Sequence, residues 1–118
     1  MLDSRQANHY LSDKPIMELS TDATIYEMGR IELTCKVDPV LKVNTDLKTW
    51  TASVLLNGED SGIPQDSGSM DGRSFVVKEA SPATHSGKYS CAINYNFESM
   101  GSVKMTSDSQ EIRVLGTI

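Results

Sequence analysis

The two cysteines of this chain, Cys35 and Cys91, both lie in segments that alternate between apolar and polar side chains. The apolar positions of residues 30–37 and 88–94 are Ile31, Leu33, Cys35 and Val37 in the first and Tyr89, Cys91 and Ile93 in the second. Such alternation is typical of a strand with one buried face, so both sulfurs point inward. Their separation of 56 residues is wrong for a C-x-x-C redox or zinc motif and suits a disulfide that closes a large loop. The pattern predicts two facing sheets joined by a disulfide.

Composition sets the size and excludes some partners. A chain of 118 residues that is 38% apolar is expected to fold as one domain, which we place at residues 14–117, with residues 1–13 as an N-terminal tail or linker. A net charge of −5 disfavours nucleic acid and anionic membrane surfaces as partners. The apolar runs are far shorter than the roughly 20 residues that span a bilayer, so we expect no insertion of this segment into a membrane. Residues 1–6 lack the features of a secretory signal, and we expect a domain excised from a larger protein.

A tryptophan and a tyrosine complete a recognisable arrangement. Trp50 follows Cys35 by 15 residues within an alternating segment, and Tyr89 precedes Cys91 by two. From about residue 15 to residue 115 the chain resembles the immunoglobulin superfamily. The resemblance implies an all-β fold, a two-sheet antiparallel Greek-key sandwich with one inter-sheet disulfide between Cys35 and Cys91. It also implies that Trp50 packs on this bridge and that the Tyr89 hydroxyl bonds to backbone a few residues upstream.

Other segments refine the type of domain. Residues 15–19 and 23–26 are predicted to form a split first strand, and residues 57–72 hold four of the eight glycines, too many for two well-buried strands. We therefore expect the I or C2 type, with a truncated variable-like arrangement second. The predicted last strand, residues 111–115, begins 20 residues after Cys91, so a long loop or a long hairpin precedes it. His85 stands where the family usually has an Asp that pairs with an Arg, which leaves that salt bridge in doubt.

The chain offers little for catalysis or for a metal. Only His9 and His85 are present, and no nucleophile, zincin or phosphate-loop motif accompanies them, although Ser86 follows His85. The acidic residues Glu59, Asp60, Asp66 and Asp71 lack the spacing of a calcium-binding loop. We expect no enzyme, no cofactor and no metal site.

Protein recognition is therefore the expected function, in an extracellular module of a cell-surface or secreted protein. We expect a protein partner, for instance another immunoglobulin-like domain bound homophilically or heterophilically. The candidate contacts are one face of the Trp50 strand together with an aromatic segment after Cys91: Thr49, Thr51, Ser53, Leu55, Tyr95, Phe97 and Met100. Tyr95 and Phe97 share the parity of Cys91, so they alternatively continue the inner face and close the core. The alternative function is a structural spacer in a multi-domain ectodomain or an intracellular filament protein.

Overall fold

The computed structural model describes residues 14–37, 45–69 and 71–116, which form two packed β-sheets and one helical turn, α1 (Pro82–His85). The strands in this part of the chain are β1 (Ile16–Leu19), β2 (Thr24–Tyr26), β3 (Ile31–Lys36), β4 (Leu47–Leu56), β5 (Glu59–Asp60), β6 (Gln65–Gly68), β7 (Gly72–Val77), β8 (Gly87–Phe97), β9 (Gly101–Thr106) and β10 (Gln110–Leu115). The expected all-β sandwich is confirmed. The predicted tail, residues 1–13, lies outside the described residues.

The first strand is split into two parts, and each part joins a different sheet. One sheet has the order β1-β3-β7-β6, and the other has the order β2-β10-β8-β4-β5, with β9 also paired to β8. All pairs are antiparallel except β2 with β10, which run parallel. The predicted split first strand is confirmed, because β1 joins one sheet and β2 joins the other. The expected antiparallel two-sheet sandwich is confirmed, with this one parallel pair where the split first strand joins the second sheet.

A disulfide between Cys35 on β3 and Cys91 on β8 links the two sheets, with the Cα atoms 5.7 Å apart. The larger core cluster surrounds it. Its buried members are Met17, Ile31, Leu33, Cys35, Val54, Phe75, Val77, Ala80, Tyr89, Cys91, Ile112 and Val114. The alternating positions of the sequence therefore supply this core, as their period of two requires.

A second, smaller core cluster lies beyond the disulfide. It consists of Val37, Trp50, Ile93, Tyr95 and Phe97. Trp50 is only 4% exposed, but it pairs with Tyr95, whereas Val54 is the residue opposite Cys91. Four residues of strand separate Trp50 from the level of the bridge, about 13 Å at the usual rise. Trp50 is buried as expected, but the predicted packing of its ring on the disulfide is wrong.

Arg73 of β7 covers the buried tryptophan instead. Its guanidinium carbon lies 3.8 Å from the centre of the Trp50 ring. The same guanidinium donates to the backbone oxygens of Trp50 at 3.4 Å and Gly72 at 3.3 Å, and also to that of Ser69. A Cβ atom on Gly68 would lie 2.6 Å from Cδ of Arg73, so glycine at this position leaves room for the arginine.

The turn before β8 has the geometry that the family resemblance implies. The Tyr89 hydroxyl donates to the His85 carbonyl at 2.7 Å, and burial raises the pKa of Tyr89 to about 12. The His85 Nδ1 atom accepts the Ser81 backbone N–H at 2.8 Å, which satisfies a donor at the start of α1. His85 thus holds the corner locally, in the place where the family usually has an aspartate.

The chain after Cys91 forms the long hairpin that was one of two predicted alternatives. β9 follows β8 after a turn at residues 98–100, and β10 then pairs with the beginning of β8. At the break between β9 and β10, the Cys91 N–H donates to the Ser107 hydroxyl and the Ser107 N–H donates to the Cys91 carbonyl, both at 2.8 Å. In the glycine-rich segment, β5 and β6 are exposed at every residue, so the prediction that it holds no two buried strands is confirmed.

Candidate protein-binding surface

The outward-pointing side chains of β4, β8 and β9 form a continuous surface, which we call the outer face. Its members alternate with the buried residues of the same strands and are Thr49, Thr51, Ser53, Leu55, Lys88, Ser90, Ala92, Asn94, Asn96, Ser102, Lys104 and Thr106. The predicted positions Thr49, Thr51, Ser53 and Leu55 lie together along one side of this surface. Each stands opposite a residue of β8, as the alternation indicated.

Hydrogen bonds across three strands order one end of the outer face. The Asn96 side-chain amide donates to the Thr49 hydroxyl at 3.2 Å, and the Ser102 hydroxyl donates to the Asn96 side-chain oxygen at 2.6 Å. Asn96 stands directly opposite both residues in the sheet register. Side chains that are already fixed in this way lose less conformational entropy when a partner binds.

The central strand of the outer face, β8, carries two small residues that are nearly covered. Ala92 is 2% exposed and Ser90 is 7% exposed although both point away from the core. Two residues of the outer face are ionisable, Lys88 on β8 and Lys104 on β9, which stands opposite Asn94. The surface therefore offers hydroxyls, amides and two ammonium groups.

The aromatic segment after Cys91 does not belong to this surface. Tyr95 is 0% exposed and Phe97 is 3% exposed, and their rings, 6.1 Å apart, lie inside the second core cluster. Met100 is partly buried against the same cluster. The prediction that these three residues form a partner-binding cluster is corrected accordingly. Their inward parity continues the alternation of Cys91 and Ile93, which was the alternative expectation.

Sequence reasoning missed the contribution of β9. Ser102, Lys104 and Thr106 alternate with Val103 and Met105, which pack against the second core cluster. The sequence contains this alternation, but the segment before the last strand was predicted as either a long loop or a long hairpin, so no strand was assigned to it. Tyr26 and Met28 were likewise not singled out, although they are 64% and 65% exposed.

Ser86 follows His85, but its hydroxyl donates to the Val114 carbonyl at 3.2 Å and accepts the Val114 N–H at 2.9 Å, so it is committed to β10. Within residues 14–37, 45–69 and 71–116, no three His, Cys, Asp or Glu side chains come together as a set of metal ligands. No helix in the described part of the chain has the length and apolarity that crossing a bilayer requires.

Comparisons with known proteins bear on the fold. No family model matches the chain, and no curated protein matches it. Among solved structures, a chain from "Structural basis of T cell specificity and activation by the bacterial superantigen toxic shock syndrome toxin-1" is similar over 86% of this chain and 99% of its own, with a TM-score of 0.56 at 12% identity.

Two further structures are similar at comparable levels. The N-terminal eight Ig domains of Down Syndrome Cell Adhesion Molecule (DSCAM) match over 87% of this chain and 13% of that chain, with a TM-score of 0.54 at 14% identity. Murine CRIg matches over 90% of this chain and 100% of its own, with a TM-score of 0.51 at 10% identity. At these identities the likeness concerns architecture. Together with the strand order and the inter-sheet disulfide, it shows that the chain has an immunoglobulin-like fold.

Proposed function

We propose that this domain is an extracellular protein-recognition module that binds another protein through the outer face. The observation that carries the proposal is the three-strand surface of β4, β8 and β9, built mainly from short polar side chains around the nearly covered Ala92. A sheet face is complementary to another sheet face, so an immunoglobulin-like domain is the partner that we favour.

The chemistry of the outer face suits a polar, reversible contact. Its hydroxyl and amide groups supply donors and acceptors on short side chains, which lose little rotamer freedom on binding. Leu55 adds a partly buried apolar group at one end. Lys104 favours an acidic group at the corresponding position of the partner, since a complementary charge increases specificity and the rate of association.

The extracellular assignment is supported by the disulfide. A bond between Cys35 and Cys91 forms and persists in oxidising compartments. The similar structures include an adhesion molecule, DSCAM, which fits a role at the cell surface. We infer that the domain belongs to a secreted protein or to the ectodomain of a membrane protein.

A multimer of the domain, built on a fluorescent streptavidin core, tests the proposal by staining a panel of cultured cells. Thr51→Arg and Asn94→Arg place a long charged side chain in the middle of the outer face, and each is expected to reduce staining at least tenfold. Ser67→Arg is the matched control, because Ser67 is exposed on β6 of the other sheet. Far-UV circular dichroism and thermal melting confirm that each variant folds. Staining that Ser67→Arg lowers as much as Thr51→Arg, or no staining of any cell, would refute the proposal and favour a spacer.

A further inference from the structure

The strand β9 has an open hydrogen-bonding edge. It pairs with β8 over all six of its residues, and among the described residues no strand pairs with its other side. The chain then leaves this position at residues 107–109, and β10 continues beside the first residues of β8. An unpaired edge of this kind is a template for another strand.

The other sheet edges are protected in ways that β9 is not. β5 has two residues, both acidic, and β6 has a register shift between Gln65 and Ser67. β1 and β2 have only four and three residues. Short length, charge and bulges are the features by which proteins prevent edge-to-edge pairing. β9 has six residues in unbroken register with β8 and contains no proline, and its one charged side chain, Lys104, lies on the outer face and not on the inward side.

The Ser107 hydrogen bonds identify which amides of β9 face the open edge. Because the Ser107 N–H donates to the Cys91 carbonyl, Ser107 is oriented toward β8. Orientation alternates along an antiparallel strand, so Gly101, Val103 and Met105 also direct their N–H and C=O groups toward β8. The N–H and C=O groups of Ser102, Lys104 and Thr106 are therefore directed toward the open edge.

We propose that the open edge of β9 pairs with the β9 edge of a second copy of this chain. In the antiparallel register that places Val103 opposite the second copy's Val103, Lys104 stands opposite the second copy's Ser102. This register keeps the two ammonium groups off one another, and like charges directly opposite would destabilise the pair. It also aligns inward with inward positions: Val103 stands opposite the second copy's Val103 and Met105 stands opposite the second copy's Gly101, so these partly buried side chains become further covered.

The pairing is expected to be weak, but it would present two outer faces together. It forms about four backbone hydrogen bonds and buries less area than a stable dimer interface of roughly 1,200 Å² or more, so a dissociation constant in the upper micromolar range is expected. The two-fold axis is perpendicular to the sheets, so both outer faces remain free and point the same way. Two weak sites presented together bind with higher avidity than either alone.

Sedimentation analysis over a concentration series up to millimolar tests this pairing with two variants at one position. Lys104→Pro removes an amide hydrogen that faces the open edge and is not used by β8. It is expected to raise the dissociation constant of the dimer at least tenfold. Lys104→Ala removes the side chain but keeps the amide, and it is expected to dimerise at least as well as the wild type. Thr51→Arg on the outer face should leave dimerisation unchanged, which separates this proposal from the proposed function.

Hydrogen exchange gives a second measurement that does not depend on the fold of a proline variant. In the wild type, the amides of Ser102, Lys104 and Thr106 should become protected as concentration rises, while those of Val103 and Met105 should be protected at every concentration. The proposal is refuted by a wild type that stays monomeric at millimolar concentration, or by a dimer that Lys104→Pro does not weaken. It is also refuted if the three edge amides are already protected in dilute monomer, because the edge is then covered within the chain.

Discussion

Replacing Arg73 tests whether a cation covers the second core cluster as the contacts imply. Arg73→Ala removes the guanidinium that lies 3.8 Å from the centre of the Trp50 ring, together with the aliphatic stem that shields the indole. A partly desolvated cation–π contact contributes about 1–2 kcal/mol. Uncovering about 40 Å² of ring adds about 1 kcal/mol at roughly 25 cal/mol per Å². Water replaces the exposed hydrogen bond to the Ser69 carbonyl at little net cost, and the bonds to the part-buried Gly72 and Trp50 carbonyls are long, at 3.3 and 3.4 Å, so we assign them no separate contribution. The expected loss is about 2–3 kcal/mol of the unfolding free energy.

Urea unfolding monitored by tryptophan fluorescence measures this loss directly, because Trp50 is the single tryptophan of the chain. Arg73→Met keeps an apolar stem over the ring without the charge, and we expect it to lose about 1–2 kcal/mol, the cation–π part alone. The native emission of Arg73→Ala should shift to the red, since water then reaches the indole. That of Arg73→Met should shift less.

Two results would contradict the role assigned to Arg73. If Arg73→Ala unfolds within about 0.5 kcal/mol of the wild type and its emission is unshifted, Arg73 does not cover Trp50 in solution. Equal losses in the alanine and methionine variants would contradict the contribution assigned to the stem. The 4% exposure of Trp50 would then have to depend on the other members of the second core cluster.

Three further predictions concern residues that hold the sandwich together. Tyr95→Ala and Phe97→Ala should each lower the unfolding free energy by about 3–5 kcal/mol in denaturant titrations, whereas surface residues would change it by less than about 0.5 kcal/mol. Mass spectrometry of unreduced protein should show Cys35 bonded to Cys91, and removing both thiols should cost about 4 kcal/mol; two free thiols in folded, secreted material would contradict the extracellular assignment. Since burial raises the Tyr89 pKa to about 12, the folded state favours the neutral phenol, and stability should fall as pH rises from about 10 to about 12. Tyr89→Phe should lose this part of the pH dependence in unfolding measurements, and an unchanged slope would show that Tyr89 does not cause it.

The sequence predicted those parts of the fold that depend on alternation. Positions around Cys35 and Cys91 fall on the inner faces of β3 and β8, because a period of two leaves only one way to bury them. Trp50 shows the limit of spacing arguments. Its distance from Cys35 along the chain matches the family, but the register of β4 with β8 places Val54 at the level of the bridge. A register is fixed by contacts between strands and by the intervening connection, which residue counts do not contain.

The candidate surface was predicted only in part, for a related reason. Thr49 and Thr51 follow from the parity of Trp50, and they lie on the outer face. Tyr95 and Phe97 were assigned by residue type, because aromatic side chains are common in interfaces. Their parity with Cys91 is the stronger indicator, since a strand that continues past the disulfide must keep alternating. Arg73 over Trp50 was not foreseen, because it depends on two strands of opposite sheets that are 23 positions apart in sequence.

The division of the interior into two clusters has a mechanical consequence. Only the larger cluster contains the disulfide, while the cluster of Val37, Trp50, Tyr95 and their neighbours is held by packing and by one arginine. Regions with fewer buried contacts open at lower free energy than the rest of a protein. Under a pulling force, or during slow thermal fluctuation, the far end of the β8–β9 hairpin would separate from the opposite sheet while the bridged half stays closed. One end of the domain is thus fixed covalently and the other end is held by noncovalent contacts alone, and the end without the disulfide contains β9.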